Sequence, residues 1–478
     1  MAGDRGLTRL TATELASRIR DGEITATDAV DAHLERIDAR DGEINAFVTV
    51  CADRAREAAE AADRALEAGE DVGPLHGVPL ALKDLGGLKD GTRHTFGSAL
   101  FADNVAERTA LFVERLEAAG AIVIGKTNTP AFGHKGTTDN AVVGPTASPI
   151  DTDLNAGGSS GGSAAALAAG MTPLATGSDA GGSLRIPAAA CGIYALKPTF
   201  GLVPDDGRPS AFGRSTHHVT KGPMARSVAD AAFGLSVMAG PDPSDPRSVP
   251  VDVDPLEAVD RSIDDYRIGY SPDLDVFSIT DAVEDIVDDA VTAFADAGAT
   301  VEEISIDHGY SMADLEAAVM PTYTTSILET ATLLEAEHGI DLRDHEEEVD
   351  NSLLAMIEAG ERYGPADIAR SGVVRTGFFD AIQDRLAEYD LLVTPTLSRA
   401  DMGLHDEPGS EGWNWTLTWP FNWTGHPVGA APVGLTDRGH PVGIQLVGSR
   451  FEDDVVLAAS GALERERPWD HLYEDADE

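Results

Sequence analysis

The sequence predicts an α/β fold, a β-sheet sandwiched between layers of α-helices. Three observations predict it. From Gly77 onward, short apolar runs alternate with helical patterns over most of the chain. Hydrophobic residues fill 42% of the 478 positions, enough for a sizeable core. No repeat of roughly 20–50 residues and no low-complexity linker interrupts the alternation, which argues against a solenoid or tethered modules.

The first segment, about 8–70, is helical. Thr11-Ala-Thr-Glu14 has the form of a capping box and opens a helix running to about Arg20. Two more helices are expected, from about Thr27 to Asp41 and from about Ala52 to Ala68. The middle segment, about 71–240, begins the alternation. VPLAL (78–82) reads as a buried strand, RTALFVERLEAAG (108–120) as a helix closed by Gly120, and AIVIG (121–125) as the next strand. SSGGSAAALAAGM is a small-residue helix opened by a glycine turn, and PLATG follows it as a strand. The Pro/Asp-rich stretch 240–255 is the best loop between two lobes. In the last segment, about 256–470, YRIGY, an acidic helix over 281–297 and ATVEEISI repeat the scheme. A hairpin over 428–448 and a helix in EDDVVLAASGALERE close the chain. Stretches 305–330 and 400–425 carry no motif and are expected as loops that shape a pocket.

Composition narrows the function classes. No run approaches the roughly 18 apolar residues of a membrane span. The N-terminus MAGDRGLTRLTATEL has no apolar signal region, and there are only two cysteines, Cys51 and Cys191, so a cytoplasmic setting is expected. Asp and Glu total 82 against 35 Lys and Arg, a net charge of −47. That surface repels phosphate backbones, so direct nucleic-acid binding is not expected. The acid is spread along ordinary amphipathic helices, which reads as adaptation to high salt, where a Debye length of about 3 Å at 1 M removes the self-repulsion. Lysine is scarce: Lys83, Lys89, Lys126, Lys135, Lys197 and Lys221.

The chemistry lies in Gly157–Pro198 and in one lysine upstream. Ser159 and Ser183 sit in separate glycine-rich turns 24 residues apart, and Lys83 follows the strand-like GVPLAL. Glycine turns let backbone N–H groups crowd one point, serine supplies a nucleophilic oxygen, and a desolvated lysine supplies a base. Acyl transfer requires this combination. Alone, each motif has a plain reading: a Gly-Gly-Ser turn, a phosphate cradle at a helix N-terminus, a core lysine paired with Asp84. Gly120–Thr127 also matches a phosphate-loop expression, but its Ala-Ile-Val-Ile interior wants a strand rather than a loop, so a nucleotide-binding module is a distant alternative. The histidines form no metal-ligand spacing, and His217-His218 reads as surface loop. Neither a metal nor a cofactor is expected.

Lys83 in GVPLALKD, Ser159 in GGSSGGS and Ser183 in DAGGSLRIP occur in the order and spacing of the amidase signature family, which the chain resembles. The likeness extends through IGKTNTPAFG (124–133), YALKPTFG (194–201), LLVTPT (391–396) and GHPVGIQLVG (439–448). It implies the amidase signature fold: one domain over 1–478, with a large mixed sheet of about eleven strands between helices. It implies Ser183 as nucleophile, Ser159 after a cis peptide as proton relay, and Lys83 as general base. The N–H groups of Ala180, Gly181, Gly182 and Ser183 would form the oxyanion hole. Asp179 and Arg185 flank the turn and are expected to hold it. Trp413, Trp415, Trp419 and Trp423 crowd one segment. Trp419, Phe421 and Trp423 are expected to wall the substrate pocket, with core packing or an oligomer contact, such as a homodimer, as the alternatives. The implied activity is hydrolysis of a small carboxylic amide through an acyl-enzyme. The alternative within the family is the glutaminase component of a tRNA-dependent amidotransferase; KTNTPAFGHKGTTDN and PFNWTGHP look more like the stand-alone amidases.

Overall fold

One mixed sheet of eleven strands organises the chain in a computed structural model that describes residues 4–212, 219–250, 254–407 and 412–473. The strands are β1 (Phe47–Val50), β2 (Pro79–Lys83), β3 (Ile122–Thr127), β4 (Leu174–Asp179), β5 (Tyr194–Lys197), β6 (Thr220–Ala225), β7 (Arg267–Tyr270), β8 (Thr300–Glu303), β9 (Leu391–Pro395), β10 (Val428–Leu435) and β11 (Pro441–Val447). Their order across the sheet is β1-β3-β2-β4-β6-β5-β10-β11-β9-β7-β8. β3, β2 and β4 run parallel, as do β9, β7 and β8, and the strands between them are antiparallel. The central strands β2, β4 and β11 are buried along their whole length, as their apolar runs demand. β8 is an edge strand, and Glu302 and Glu303 keep that edge charged.

The N-terminal helices follow the expected capping. Thr11 caps Ala12–Arg20 in a complete capping box with Glu14, and Thr25 with Asp28 does the same for Ala26–Ile44. The helix of small residues, Gly161–Ala168, is buried throughout. A Cβ on Gly162 would run into the backbone of Asn128, so only glycine lets this helix lie on the end of β3. The closing hairpin pairs β10 with β11, and Asp453–Glu466 ends the core.

Four expectations need correction. The acidic helix over 281–297 is two pieces, Asp281–Ala290 and Thr292–Asp296, joined at Val291. The strand expected over ATVEEISI is only Thr300–Glu303, because the chain leaves the sheet as soon as β7 ends. Stretch 305–330 is not a loop. It opens the 27-residue helix Met312–His338, which packs with Asn351–Glu361 and Pro365–Leu386. Within 400–425, Trp419–Thr424 is a short buried helix. Residues 240–250 are loop as expected, and His217-His218 lie outside the described residues.

Candidate active site

Parallel neighbours in the sheet bring the expected residues to one edge. β2 ends at Lys83 and β4 ends at Asp179, both at the carboxyl ends of strands, where open α/β sheets place their crevices. The Lys83 ammonium is fully enclosed. Its Nζ donates to Ser159 Oγ at 2.7 Å and to Ser178 Oγ at 3.1 Å. Burial drives its pKa well below the ordinary lysine range; the nearby Lys221 adds to this, and Asp179 opposes it. Asp84 does not pair with Lys83. It turns away to Thr95, His94 and Lys126, and Lys126 in turn donates to the carbonyl of Gly87 and to His94 Nδ1. The neighbouring charge therefore anchors the strand end without neutralising the lysine. Lys126, the lysine of the phosphate-loop match, sits buried in β3 and holds no phosphate cradle.

Ser159 follows a cis peptide from Gly158, as the resemblance implies. Ser160, its neighbour, instead stands at the N-cap of Gly161–Ala168, and its Oγ lies 3.4 Å from the backbone of Ser178. The Ser160 N–H donates to the carbonyl of Ser183 at 3.1 Å, which ties the two glycine turns together.

The turn Ala180–Ser183 is held from below by a buried ion pair. Arg185 Nε donates to Asp179 Oδ2 at 2.9 Å, and its remaining N–H groups reach Thr418 O, Gln445 Oε1 and Asn422 Oδ1. Burial alone would raise the Asp179 carboxyl, but Arg185, aided by Lys197 and Asn422, outweighs it and holds the pKa at about 2. Asn422 also donates to Asp179 Oδ1, and Thr418 Oγ1 donates to the carbonyl of Gly181 at 2.6 Å. Asp179 and Arg185 are thus linked to each other and to the backbone on both sides of the turn. Ser178, Thr418, Asn422, Gln445 and Lys221 surround these groups; Asn422 and Gln445 fall in PFNWTGHP and GHPVGIQLVG, but nothing in the sequence singled out any of the five side chains.

Two assignments change. Gly182 is not an available oxyanion donor, because its N–H donates to Asp179 Oδ1 at 2.7 Å. Ala180, Gly181 and Ser183 remain: their N–H groups make no hydrogen bond to the described residues. Gly182 is required for another reason. Its φ is +131°, and a Cβ there would strike the Thr418 hydroxyl. Trp419, Phe421 and Trp423 are core rather than pocket wall, at 2%, 0% and 0% exposure among Phe277, Phe378 and Leu417. The aromatic ring next to the turn is Trp413, which lies against Gly181 and meets Tyr323 edge-on at 4.6 Å. Open space lies beyond the end of β2, past Leu85 and Gly86. A cavity of about 610 Å³ is walled by Leu85, Phe96, Phe132, Leu333, Leu334 and Lys221, among others.

The chain and its fold have known relatives. The family model described as Amidase matches residues 28–457. The chain is 36% identical to an acylamidase of Rhodococcus erythropolis over 98% of this chain and 97% of that protein. It is also 36% identical to the A component of the glutamyl-tRNA(Gln) amidotransferase of Acidothermus cellulolyticus, over the same shares. A bacterial aryl acylamidase of the amidase signature enzymes superimposes with a TM-score of 0.91 at 33% identity, covering 97% of this chain and 98% of that one. With its eleven-stranded mixed sheet and a match over most of its length, the chain belongs to the amidase signature family of amide-hydrolysing enzymes.

Proposed function

We propose that the chain is a stand-alone amidase that cleaves carboxylic amides through Ser183, Ser159 and Lys83. The observation that carries this is the enclosed Lys83 ammonium 2.7 Å from Ser159 Oγ, since burial drives its pKa well below the ordinary lysine range and so favours the neutral, basic amine. Ser183 Oγ attacks the amide carbon while its proton passes to Ser159 and on to Lys83. The N–H groups of Ala180, Gly181 and Ser183 receive the developing oxyanion. Removing one such donor typically costs about 10²–10³ in rate. The C–N bond breaks as the nitrogen takes a proton back from Ser159. Water then attacks the acyl-Ser183 ester by the same base and releases the carboxylate.

The amidotransferase reading has its own observation, the glutamyl-tRNA(Gln) amidotransferase relatives. Net charge weighs against it, because 47 uncompensated negative charges oppose docking of tRNA. The test is the purified chain alone, with a serine-directed fluorophosphonate and simple amides. Labelling of Ser183 and hydrolysis of apolar amides in preference to glutamine are expected. Glutaminase activity that appears only with partner proteins and tRNA would overturn the stand-alone reading.

A further inference from the structure

Gly181 and Gly182 are consecutive glycines in the turn that carries Ser183. Two glycines in a row leave the backbone wide freedom, so the N–H groups around them hold no direction of their own. The peptide joining Gly181 to Gly182 is nevertheless held at both ends. Its carbonyl accepts from Thr418 Oγ1 at 2.6 Å, and its N–H donates to Asp179 Oδ1 at 2.7 Å. Two other peptides of the turn are held by their carbonyls alone: Asp179 O accepts from Asn422 Nδ2 at 3.1 Å, and Gly182 O accepts from Ile186 N at 2.7 Å. Their N–H groups, those of Ala180 and Ser183, have no partner among the described residues.

Thr418 is itself fixed. It is fully buried, its carbonyl accepts from Arg185 Nη1 at 2.8 Å, and the N–H of Leu417 beside it donates to Thr396 O just past β9. A threonine hydroxyl has one proton to donate. Thr418 gives its proton to Gly181 O, so in the 2.7 Å contact between the Thr416 and Thr418 hydroxyls Thr416 is the donor. The hydrogen bonds therefore run one way, from Thr416 through Thr418 and the Gly181–Gly182 peptide to the Asp179 carboxylate, which Arg185 pairs. Buried hydrogen bonds chained in this sense polarise and strengthen one another.

We propose that Thr418 is a positioning residue for amide hydrolysis: its hydroxyl fixes the Gly181–Gly182 peptide and so aims the N–H groups of Gly181 and Ser183 at the oxygen of the substrate carbonyl. The proposal rests on the Lys83–Ser159–Ser183 reading above. Thr418→Val removes the hydroxyl and keeps the shape, whereas Thr418→Ser keeps the hydroxyl. Thr418→Ala replaces the valine variant should that one fail to fold, which near-ultraviolet circular dichroism reports. Butyramide is the substrate, and 1,1,1-trifluoropentan-2-one is the probe of the tetrahedral state. Ser183 Oγ bonds to the ketone carbon, the C=O electron pair moves onto oxygen, and the serine proton passes through Ser159 to Lys83, so the adduct keeps the oxyanion that an amide forms only in passing. A group that aims donors at this oxyanion acts on kcat and not on KM. Thr418→Val should lower kcat by about 10²-fold with KM unchanged, the scale of a misplacement of about 1 Å. The inhibition constant of the ketone should rise in proportion. The rate of fluorophosphonate labelling, which builds charge on a phosphoryl oxygen at the same place whatever the amide, should fall in parallel. Thr418→Ser should restore all three. A folded Thr418→Val with wild-type kcat and labelling rate would overturn the proposal. A loss of kcat that leaves the ketone's inhibition constant in place, or that Thr418→Ser does not restore, would overturn it too. Each of these results leaves the amidase reading intact, because the wild type still works through Ser183. A wild-type protein that neither labels nor cleaves any simple amide would overturn both.

Discussion

Lys83 shows what a single residue contributes and how much of it the sequence discloses. Its place after an apolar strand made burial legible, and its serine partner came from the resemblance to the amidase signature family. Ser183→Ala should abolish hydrolysis and fluorophosphonate labelling with an unchanged circular dichroism spectrum, because only one hydroxyl is lost. Lys83→Met should reduce kcat severely. In the wild type, kcat/KM should rise with pH as Lys83 loses its proton, through a pKa well below the ordinary lysine range. The charges that set this pKa come from two strands: Lys221 on β6 lowers it and Asp179 on β4 raises it. Removing the like charge in Lys221→Met makes the protonated form of Lys83 easier to hold. Its pKa then rises, and the acidic limb of the pH–rate profile should move to higher pH. An unmoved limb would show that Lys221 does not act on Lys83. Lys221 was not legible as part of the site, since its contact with the Lys83 environment arises only when β6 docks antiparallel on β4.

At the scale of elements, strands and capped helices were legible and the packing of turns was not. VPLAL and the Thr11 capping box carry local signals that tertiary structure had no reason to override. The Ala180–Ser183 turn is different. Gly182 reads as a donor in isolation, but Asp179 takes its N–H, a contact set by how the carboxylate folds back beneath Arg185. Asp179→Asn should leave Arg185 buried without its charge partner and destabilise the fold by about 3–5 kcal/mol, measurable by denaturant titration. Arg185→Lys should lose the branched donor set to Thr418, Gln445 and Asn422, and kcat/KM should fall with it. The helix Met312–His338 escaped detection because its apolar residues follow no single face and Pro321 lies inside it. That helix supplies Leu333 and Leu334 to the cavity wall but no group to the Lys83–Ser159–Ser183 cluster.

For the whole molecule, the sheet crosses all three segments read from the sequence, and β10 of the last pairs with β5 of the middle one. We therefore expect one cooperative unfolding transition rather than two. The charge of −47 should set its salt dependence. The midpoint should climb between low and multimolar KCl as screening removes self-repulsion, and a midpoint that stays fixed would count against adaptation to high salt. The charge was fully legible; its distribution was not. Lys83, Lys126, Lys197 and Lys221 are buried, while Lys89 and Lys135 are half-buried against Glu117 and against Asp139 and Asp350. All of the chain's lysines lie among the described residues, and none stands free in solvent. Reagents that acylate amines will find almost nothing to modify on the folded protein beyond its amino terminus, so such coupling to beads or dyes should fail until the chain unfolds. The same reagents thereby become a readout of unfolding, and the carboxylates offer the practical handles for attaching this enzyme to a support.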